Sequence, residues 1–306
     1  MKHLIIIIGS LLAGVTFMSF IIKKNKDELK LSKGFHEKYS LVESGKIVIG
    51  SDTSKTLEFY ISKTEITNQE YREFVKGLAT SEFSSLSKTA IVDTMNWDKE
   101  LKSSAMTQYY YSHPAYNNYP VVNVSYEAAT LYCKWLTQKT NKTLTNGLVV
   151  EYRLPNRQEW VKAAEGKLNR IEYAWGGPYL ENLKGCKMAN FKNLGASNIH
   201  FDQVENKYYI IETSTSNKKS SGKLNDNKDI TAPVNSYWPN SIGLFNMNGN
   251  VAEMLLEKGT AAGGSWASTG YDIRNESIMT YNNSSPMVGF RPIATIINES
   301  PKSSAK

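Results

Sequence analysis

The segment that most constrains this chain lies at residues 243–254, where the sequence reads Gly-Leu-Phe-Asn-Met-Asn-Gly-Asn-Val-Ala-Glu-Met. Its glycines permit backbone conformations that other residues resist, and its asparagines tolerate tight turns. The segment is therefore expected to turn sharply between apolar residues. Two interpretations stay open at this point. One is a polar turn between strands, and the other is a hard-cation site built from oxygens of Asn246, Glu253 and backbone carbonyls.

Length and composition limit the class of protein. The 306 residues, 41% of them hydrophobic, suffice for one large domain or two small ones. No linker separates the motifs described below, which favours one domain. The net charge of +7 could suggest a nucleic-acid partner. The lysines are scattered, however, and no basic stripe with interleaved aromatic residues occurs, so no nucleic acid is expected as a partner.

The cysteines and histidines exclude several metal and redox sites. Cys133 and Cys186 match no zinc spacing and are too few for a disulfide scaffold. Cys133 falls in an apolar helical pattern, which predicts a buried free thiol. The four histidines are scattered along the chain, so neither a zinc site nor a non-haem iron centre is expected.

The N-terminal residues 1–22 start with a basic residue and then run from Leu4 to Ile22 without a charge. This run is close to the ~20 residues of a membrane-spanning helix, and it lacks the small-x-small cleavage site of a secretory signal. We expect an uncleaved signal anchor, with a cleaved signal peptide as the alternative. A lipoprotein anchor is not expected, because no cysteine lies near the end of the run. Both alternatives predict an exported protein, periplasmic or membrane-anchored in the cell envelope.

Polarity and periodicity divide the rest of the chain into three parts. Residues 23–40 are polar and lysine-rich, which predicts a tether. Residues 41–295 predict one folded domain. Residues 296–306 predict a disordered tail.

Local signals inside the domain predict both helices and strands. Capping boxes begin at Thr67 and at Asn156, and Ser125 is a typical cap for a further helix. Residues 47–49 and 57–61 have the β-branched and aromatic content of short strands. Residues 79–120 predict a long packed loop with short helical pieces.

Several short motifs follow one another in a fixed order along the domain. They are Pro120-Val-Val-Asn-Val-Ser-Tyr-Glu-Ala-Ala129, Tyr152-Arg-Leu-Pro-Asn-Arg-Gln-Glu-Trp160, Tyr173-Ala-Trp-Gly176, Ala189-Asn190, Ala232-Pro-Val234, Pro239-Asn-Ser-Ile-Gly-Leu244, Gly263-Gly-Ser-Trp266 and Gly289-Phe-Arg291. In this order and at this spacing the chain resembles the formylglycine-generating enzyme (sulfatase-modifying factor) domain. The resemblance implies an α+β fold that is irregular and loop-rich, with a C-type-lectin-like core.

A narrower resemblance rests on Tyr109-Tyr-Tyr-Ser-His-Pro-Ala-Tyr-Asn-Asn-Tyr-Pro-Val121 and on Asn250-Val-Ala-Glu253. Both are similar to segments of the bacterial gliding-motility and type IX secretion lipoproteins that carry this domain. The resemblance implies an envelope protein or peptide as partner, and contact with the membrane through the N-terminal segment. The missing lipoprotein cysteine departs from that subgroup.

The family resemblance also implies two structural calcium (Ca²⁺) sites. The residues that match the first site are Asn246, Gly249, Val251 and Glu253. The residues that match the second site are Asn190, Phe191, Asp226 and Lys228. Ligation by oxygen alone, with a carboxylate, is what calcium prefers. A cation that bridges distant segments would stabilise a loop-rich fold.

The catalytic positions of the family are degenerate in this chain. The resemblance implies copper–thiolate chemistry on two cysteines that follow the Gly-Gly-Ser-aromatic motif. Here Ser265 belongs to that motif, and Ser268 and Ile273 stand at the two cysteine positions. Serine is a poor Cu(I) ligand and isoleucine has no ligand atom, so no copper is expected.

Two hypotheses follow from this combination of a retained framework and lost copper ligands. The favoured one is a pseudoenzyme: a non-catalytic scaffold or binding module of a gliding or secretion-type complex in the cell envelope. The alternative is an oxidoreductase or other modifying enzyme of the formylglycine-generating type that uses different ligands in the same cleft.

Overall fold

The computed structural model describes residues 33–144, 148–192, 199–205, 207–210 and 230–298. The predicted signal anchor and residues 23–32 of the predicted tether lie outside these ranges. Among the described residues, no helix has both the length and the apolar character needed to cross a bilayer.

The main sheet is antiparallel and has four strands in the order β1-β4-β12-β5. These are β1 (Tyr39–Val42), β4 (Phe59–Ser62), β12 (Ile293–Asn298) and β5 (Leu148–Arg153). Because β12 pairs with β4 through Ile293 and with β5 along its whole length, the end of the domain lies at the centre of this sheet.

A second four-stranded sheet has the order β10-β9-β8-β11. It contains β8 (Ala252–Met254), β9 (Thr260–Ala262), β10 (Ile278–Thr280) and β11 (Val288–Gly289). The β8–β11 pair is parallel, and the other two pairs are antiparallel. Two hairpins complete the strands: β2 (Gly45–Ile49) with β3 (Asp52–Thr56), and β6 (Ile199–Asp202) with β7 (Lys207–Ile210).

The described residues contain six α-helices. They are α1 (Lys33–Lys38), α2 (Asn68–Leu78), α3 (Asn96–Leu101), α4 (Ser104–Tyr109), α5 (Tyr126–Asn141) and α6 (Arg157–Glu165). The capping boxes that start α2 at Thr67 and α6 at Asn156 both form, and Ser125 accepts from the backbone of α5 as predicted.

The main sheet is buried on both faces, which places the core. Tyr60 of β4 packs in an aromatic cluster with Tyr71 and Phe74 of α2, to which α5 also contributes. The next residue, Ile61, points to the opposite face and joins Trp160 of α6, as expected from the alternation of side chains along a strand. Helices therefore cover both sides of this sheet.

The predicted long loop at residues 79–120 contains short helical pieces, as its composition suggested. Besides α3 and α4 it has 3-10 turns at Ser84–Ala90 and Pro114–Tyr116. Trp97 and Tyr110 anchor it, since their ring centroids lie 4.7 Å apart and both side chains are buried.

Two predicted boundaries differ from the structure. Residues 33–40, assigned to the tether, instead form α1 and the start of β1, because buried Phe35 stacks on Tyr39 at 4.7 Å. Residues 296–298, assigned to the disordered tail, are the last residues of β12 and pair with Val150, Val149 and Leu148 of β5. Both segments are held by distant partners that local polarity does not reveal.

Candidate functional site

The segment at residues 243–254 turns sharply, as its glycines and asparagines indicated. Asn246 and Asn250 adopt positive φ angles of 51° and 63°. At Gly249 a Cβ atom would come within 2.3 Å of the Asn190 carbonyl oxygen, so only glycine fits. The close approach lets the Asn250 N–H donate to that carbonyl at 2.7 Å. This turn is thus locked to the segment that contains Asn190.

The guanidinium of Arg291 lies at the centre of the site and is fully buried. Its Nε and Nη2 donate to the carboxylate of Glu253 at 2.6–3.0 Å. Its Nη1 donates to the Ser62 carbonyl at 2.9 Å, and Nη2 donates to the Phe245 carbonyl at 2.7 Å. Glu253 also accepts from the indole N–H of Trp160 at 2.7 Å. Burial alone would lower the pKa of Arg291, but the charge and hydrogen bonds of Glu253 raise it overall, so the guanidinium stays charged.

Glu65 is a second fully buried carboxylate beside this pair, and the sequence did not single it out. Its oxygens accept from the side-chain amides of Asn250 at 2.8 Å and Asn246 at 3.3 Å. Its Oε2 lies 4.0 Å from Nη2 of Arg291. Burial, which outweighs the opposing effect of Arg291, and the nearby charge of Glu253 raise the pKa of Glu65 to about 8. The cluster therefore holds two carboxylates against one guanidinium.

The first predicted calcium site coincides with this cluster. Its carboxylate, Glu253, is already paired with Arg291. Asn246 and Glu253 do converge, since both contact groups around Glu65 and Arg291. Yet both oxygens of Glu253 receive N–H donors, and the cation beside them is Arg291. A calcium ion at Glu253 would have to displace that guanidinium. As arranged, Asn246, Gly249, Val251 and Glu253 do not fit a calcium ion.

At the second predicted calcium site, the two described residues, Asn190 and Phe191, fit a calcium ion better. Asn190 is buried, and its amide N–H group donates to the Ile230 carbonyl at 2.8 Å. Its side-chain oxygen is buried with no hydrogen-bond partner, which is unfavourable unless another group meets it. Phe191 follows in the chain and is buried as well. The other predicted ligands, Asp226 and Lys228, lie outside the described residues.

The three positions predicted to be degenerate catalytic positions are engaged in internal contacts. The hydroxyls of Ser265 and Ser268 lie 3.2 Å apart, and Ser268 also accepts from the Ser265 N–H at 2.9 Å. Ile273 is fully buried in an apolar cluster with Tyr173 and Phe191. Ile273 therefore supplies packing to the core.

Neither cysteine supplies a thiol at these positions. Cys133 and Cys186 are both free. Cys133 is buried in the aromatic core of α5, as predicted, and burial raises its pKa to about 12, so the thiol stays protonated. Among the described residues, no group of three or more His, Cys, Asp or Glu side chains is placed to hold a metal ion.

The raised pKa of Glu65 predicts a pH-dependent contribution to stability. Between about pH 4.5 and 8 the folded state holds a proton on Glu65 that the unfolded state releases, so the free energy of unfolding falls as pH rises through this window. Relative to Glu65→Gln, the free energy of unfolding of wild type should fall by on the order of several kcal/mol between pH 5 and 8, since a shift of one pKa unit corresponds to about 1.4 kcal/mol. Urea unfolding at a series of pH values measures this difference.

The control for that experiment is Glu43→Gln, which removes an exposed carboxylate. It should leave the pH dependence of wild type unchanged. If Glu65→Gln shows the same slope as wild type, Glu65 does not titrate in this window.

Comparisons with known proteins place this geometry in a family. The model of the sulfatase-modifying factor enzyme 1-like domain matches residues 33–296. The formylglycine-generating enzyme of Thermomonospora curvata is 32% identical over 140 residues, which is 46% of this chain and 34% of that protein. The inactive C-alpha-formylglycine-generating enzyme 2 of Bos taurus is 26% identical over 160 residues, 49% of this chain and 40% of that protein. The matches thus span well under half of these relatives.

Solved structures support the predicted α+β fold. The crystal structure of CarF covers 84% of this chain and 97% of its own, with a TM-score of 0.52 and 19% identity. PvdO from Pseudomonas aeruginosa covers 84% of this chain and 93% of its own, with a TM-score of 0.50 and 16% identity. At these identities the likeness concerns the fold alone. Because the family model matches most of the chain, this protein belongs to the sulfatase-modifying factor family, whose domain here spans residues 33–296.

Proposed function

We propose that this chain is a non-catalytic binding module of the cell envelope, built on the formylglycine-generating enzyme fold. The observation that carries the proposal is the environment of Ile273, which has no ligand atom and is buried among Tyr173, Ala189 and Phe191. The hydroxyls of Ser265 and Ser268 are hydrogen-bonded to each other. Copper–thiolate oxidation requires soft sulfur ligands, and this site offers none.

The envelope location and the gliding or secretion-type complex rest on the sequence. The uncharged run from Leu4 to Ile22 supports export. The likeness of residues 109–121 to the gliding and type IX secretion lipoproteins supports a role as a scaffold for an envelope protein or peptide. Among the family members compared above, one is named as inactive, so loss of the oxidase activity has a precedent in the family.

The proposal predicts that the purified protein neither binds Cu(I) tightly nor consumes oxygen with a cysteine-containing peptide. Competition with a Cu(I) chelator measures affinity, and an oxygen electrode measures turnover. The double variant Ser268→Cys/Ile273→Cys, which restores both sulfur positions, is the matched control and should gain Cu(I) affinity. Tight Cu(I) binding with oxygen consumption by wild type would favour the modifying enzyme and contradict the proposal.

We also propose a structural calcium ion at Asn190, Phe191, Asp226 and Lys228. The unpartnered buried oxygen of Asn190 supports it, since an uncompensated buried polar atom is costly and calcium prefers oxygen ligands. The ion would tie the segment after α6 to the segment before Ile230 and would stabilise the folded state by binding to it.

The calcium proposal predicts one ion per chain, because Arg291 already meets Glu253 at the other position. Isothermal titration calorimetry with calcium should give a stoichiometry of about one ion per chain. EDTA should lower the melting temperature by several degrees. Asp226→Asn should abolish both effects, whereas the neighbouring Asp229→Asn should keep them. Two bound ions would contradict the role assigned to Arg291, and no binding would remove the calcium proposal.

A further inference from the structure

A group of large apolar side chains lies exposed beside the degenerate catalytic segment. Tyr271, which lies between Ser268 and Ile273, is 68% exposed, Tyr179 is 76% exposed and Trp238 is 53% exposed. Leu183 is fully exposed at the tip of the loop at residues 180–188. Exposed apolar side chains that cluster on a monomer often mark an interaction site.

Two of the three segments that form this surface are joined to each other. The Tyr173 hydroxyl donates to the Gly270 carbonyl at 2.9 Å, and the Asn275 N–H donates to the Glu172 carbonyl at 2.7 Å. A Cβ atom at Gly270 would come within 2.3 Å of the side chain of Leu180. Such a close approach holds the two segments in one arrangement, so the surface is preformed rather than assembled by a partner.

A shallow depression lies between Trp175 and Trp238 at the edge of this surface. Met188 and Met247 also line it, and no lining residue carries a charge. Trp175 connects the depression to the exposed tyrosines, because its indole N–H donates to the Tyr179 carbonyl at 3.0 Å.

The two joined segments carry a small excess of positive charge. Residues 166–192 and 268–277 together contain six basic and four acidic residues, within a chain of net charge +7. Arg274 stacks on the Tyr271 ring with its guanidinium carbon 3.5 Å from the centroid, and Lys184 is exposed beside Leu183. A second copy of this chain would bring like charges together, whereas an acidic partner would be attracted.

We infer that this surface binds an acidic segment of a partner protein, and that a large apolar side chain of that segment packs against the exposed rings of Tyr179, Tyr271 and Trp238. The inference rests on the proposed function as a binding module and names the chemistry of its partner. The apolar side chain buries the exposed aromatic surface, and the acidic residues face Arg274, Lys184 and their neighbours. Ionic strength weakens the second contribution and leaves the first.

The test selects binding peptides from a library of random twelve-residue peptides displayed on phage, with the purified domain as bait. Enriched peptides are synthesised, and their dissociation constants are measured at low and high salt. The variant Tyr179→Ser/Tyr271→Ser/Trp238→Ser removes the exposed aromatic side chains of the surface. The matched control, Leu57→Ser/Ile91→Ser, removes exposed apolar side chains elsewhere. Circular dichroism checks that both variants keep the fold.

The expected result is enrichment of acidic peptides that contain Phe, Leu or Trp. Their affinity should fall at least tenfold in the triple variant, stay unchanged in the control and weaken with salt. Absence of enrichment, enriched peptides without an acidic excess, or equal binding by the triple variant would overturn the inference. Peptides that bind equally to the triple variant would contradict this inference but not the binding-module proposal. Copper-dependent oxygen consumption by wild type would contradict the binding-module proposal itself.

Discussion

The buried contact between Arg291 and Glu253 is the interaction on which the rest of the structure depends. Arg291 precedes the central strand of the main sheet, and Glu253 lies in the second sheet. The same guanidinium binds the carbonyls of Ser62, at the end of β4, and Phe245, in the turn before β8. A buried charge is tolerated only when it is paired and hydrogen-bonded. The pairing therefore fixes how the two sheets and the turn lie against one another.

This network also explains why the asparagines of the turn are buried. Asn246 and Asn250 donate to Glu65, and Asn248 bridges the Ala174 N–H, at 2.7 Å, to the Ile273 carbonyl, at 2.6 Å. The turn thus holds the carboxylate cluster on one side and the segment that contains Ile273 on the other.

Much of the fold could be predicted from the sequence, because its signals are local. The caps at Thr67, Ser125 and Asn156 start helices where expected. The contacts between distant segments could not be predicted. Glu65 looks like an ordinary polar residue before a helix, and only the fold brings it to Arg291. The pairing of residues 296–298 with β5 was missed for the same reason.

The most direct test of this account is equilibrium unfolding of Arg291→Met and Glu253→Gln, each alone and the two combined. Removing the guanidinium leaves the carboxylate buried without its partner, which should lower the free energy of unfolding by on the order of 3–5 kcal/mol. The double variant should recover part of that loss, since no unpaired charge remains. A single variant within ~1 kcal/mol of wild type, or a double variant whose loss equals the sum of the single losses, would contradict the account.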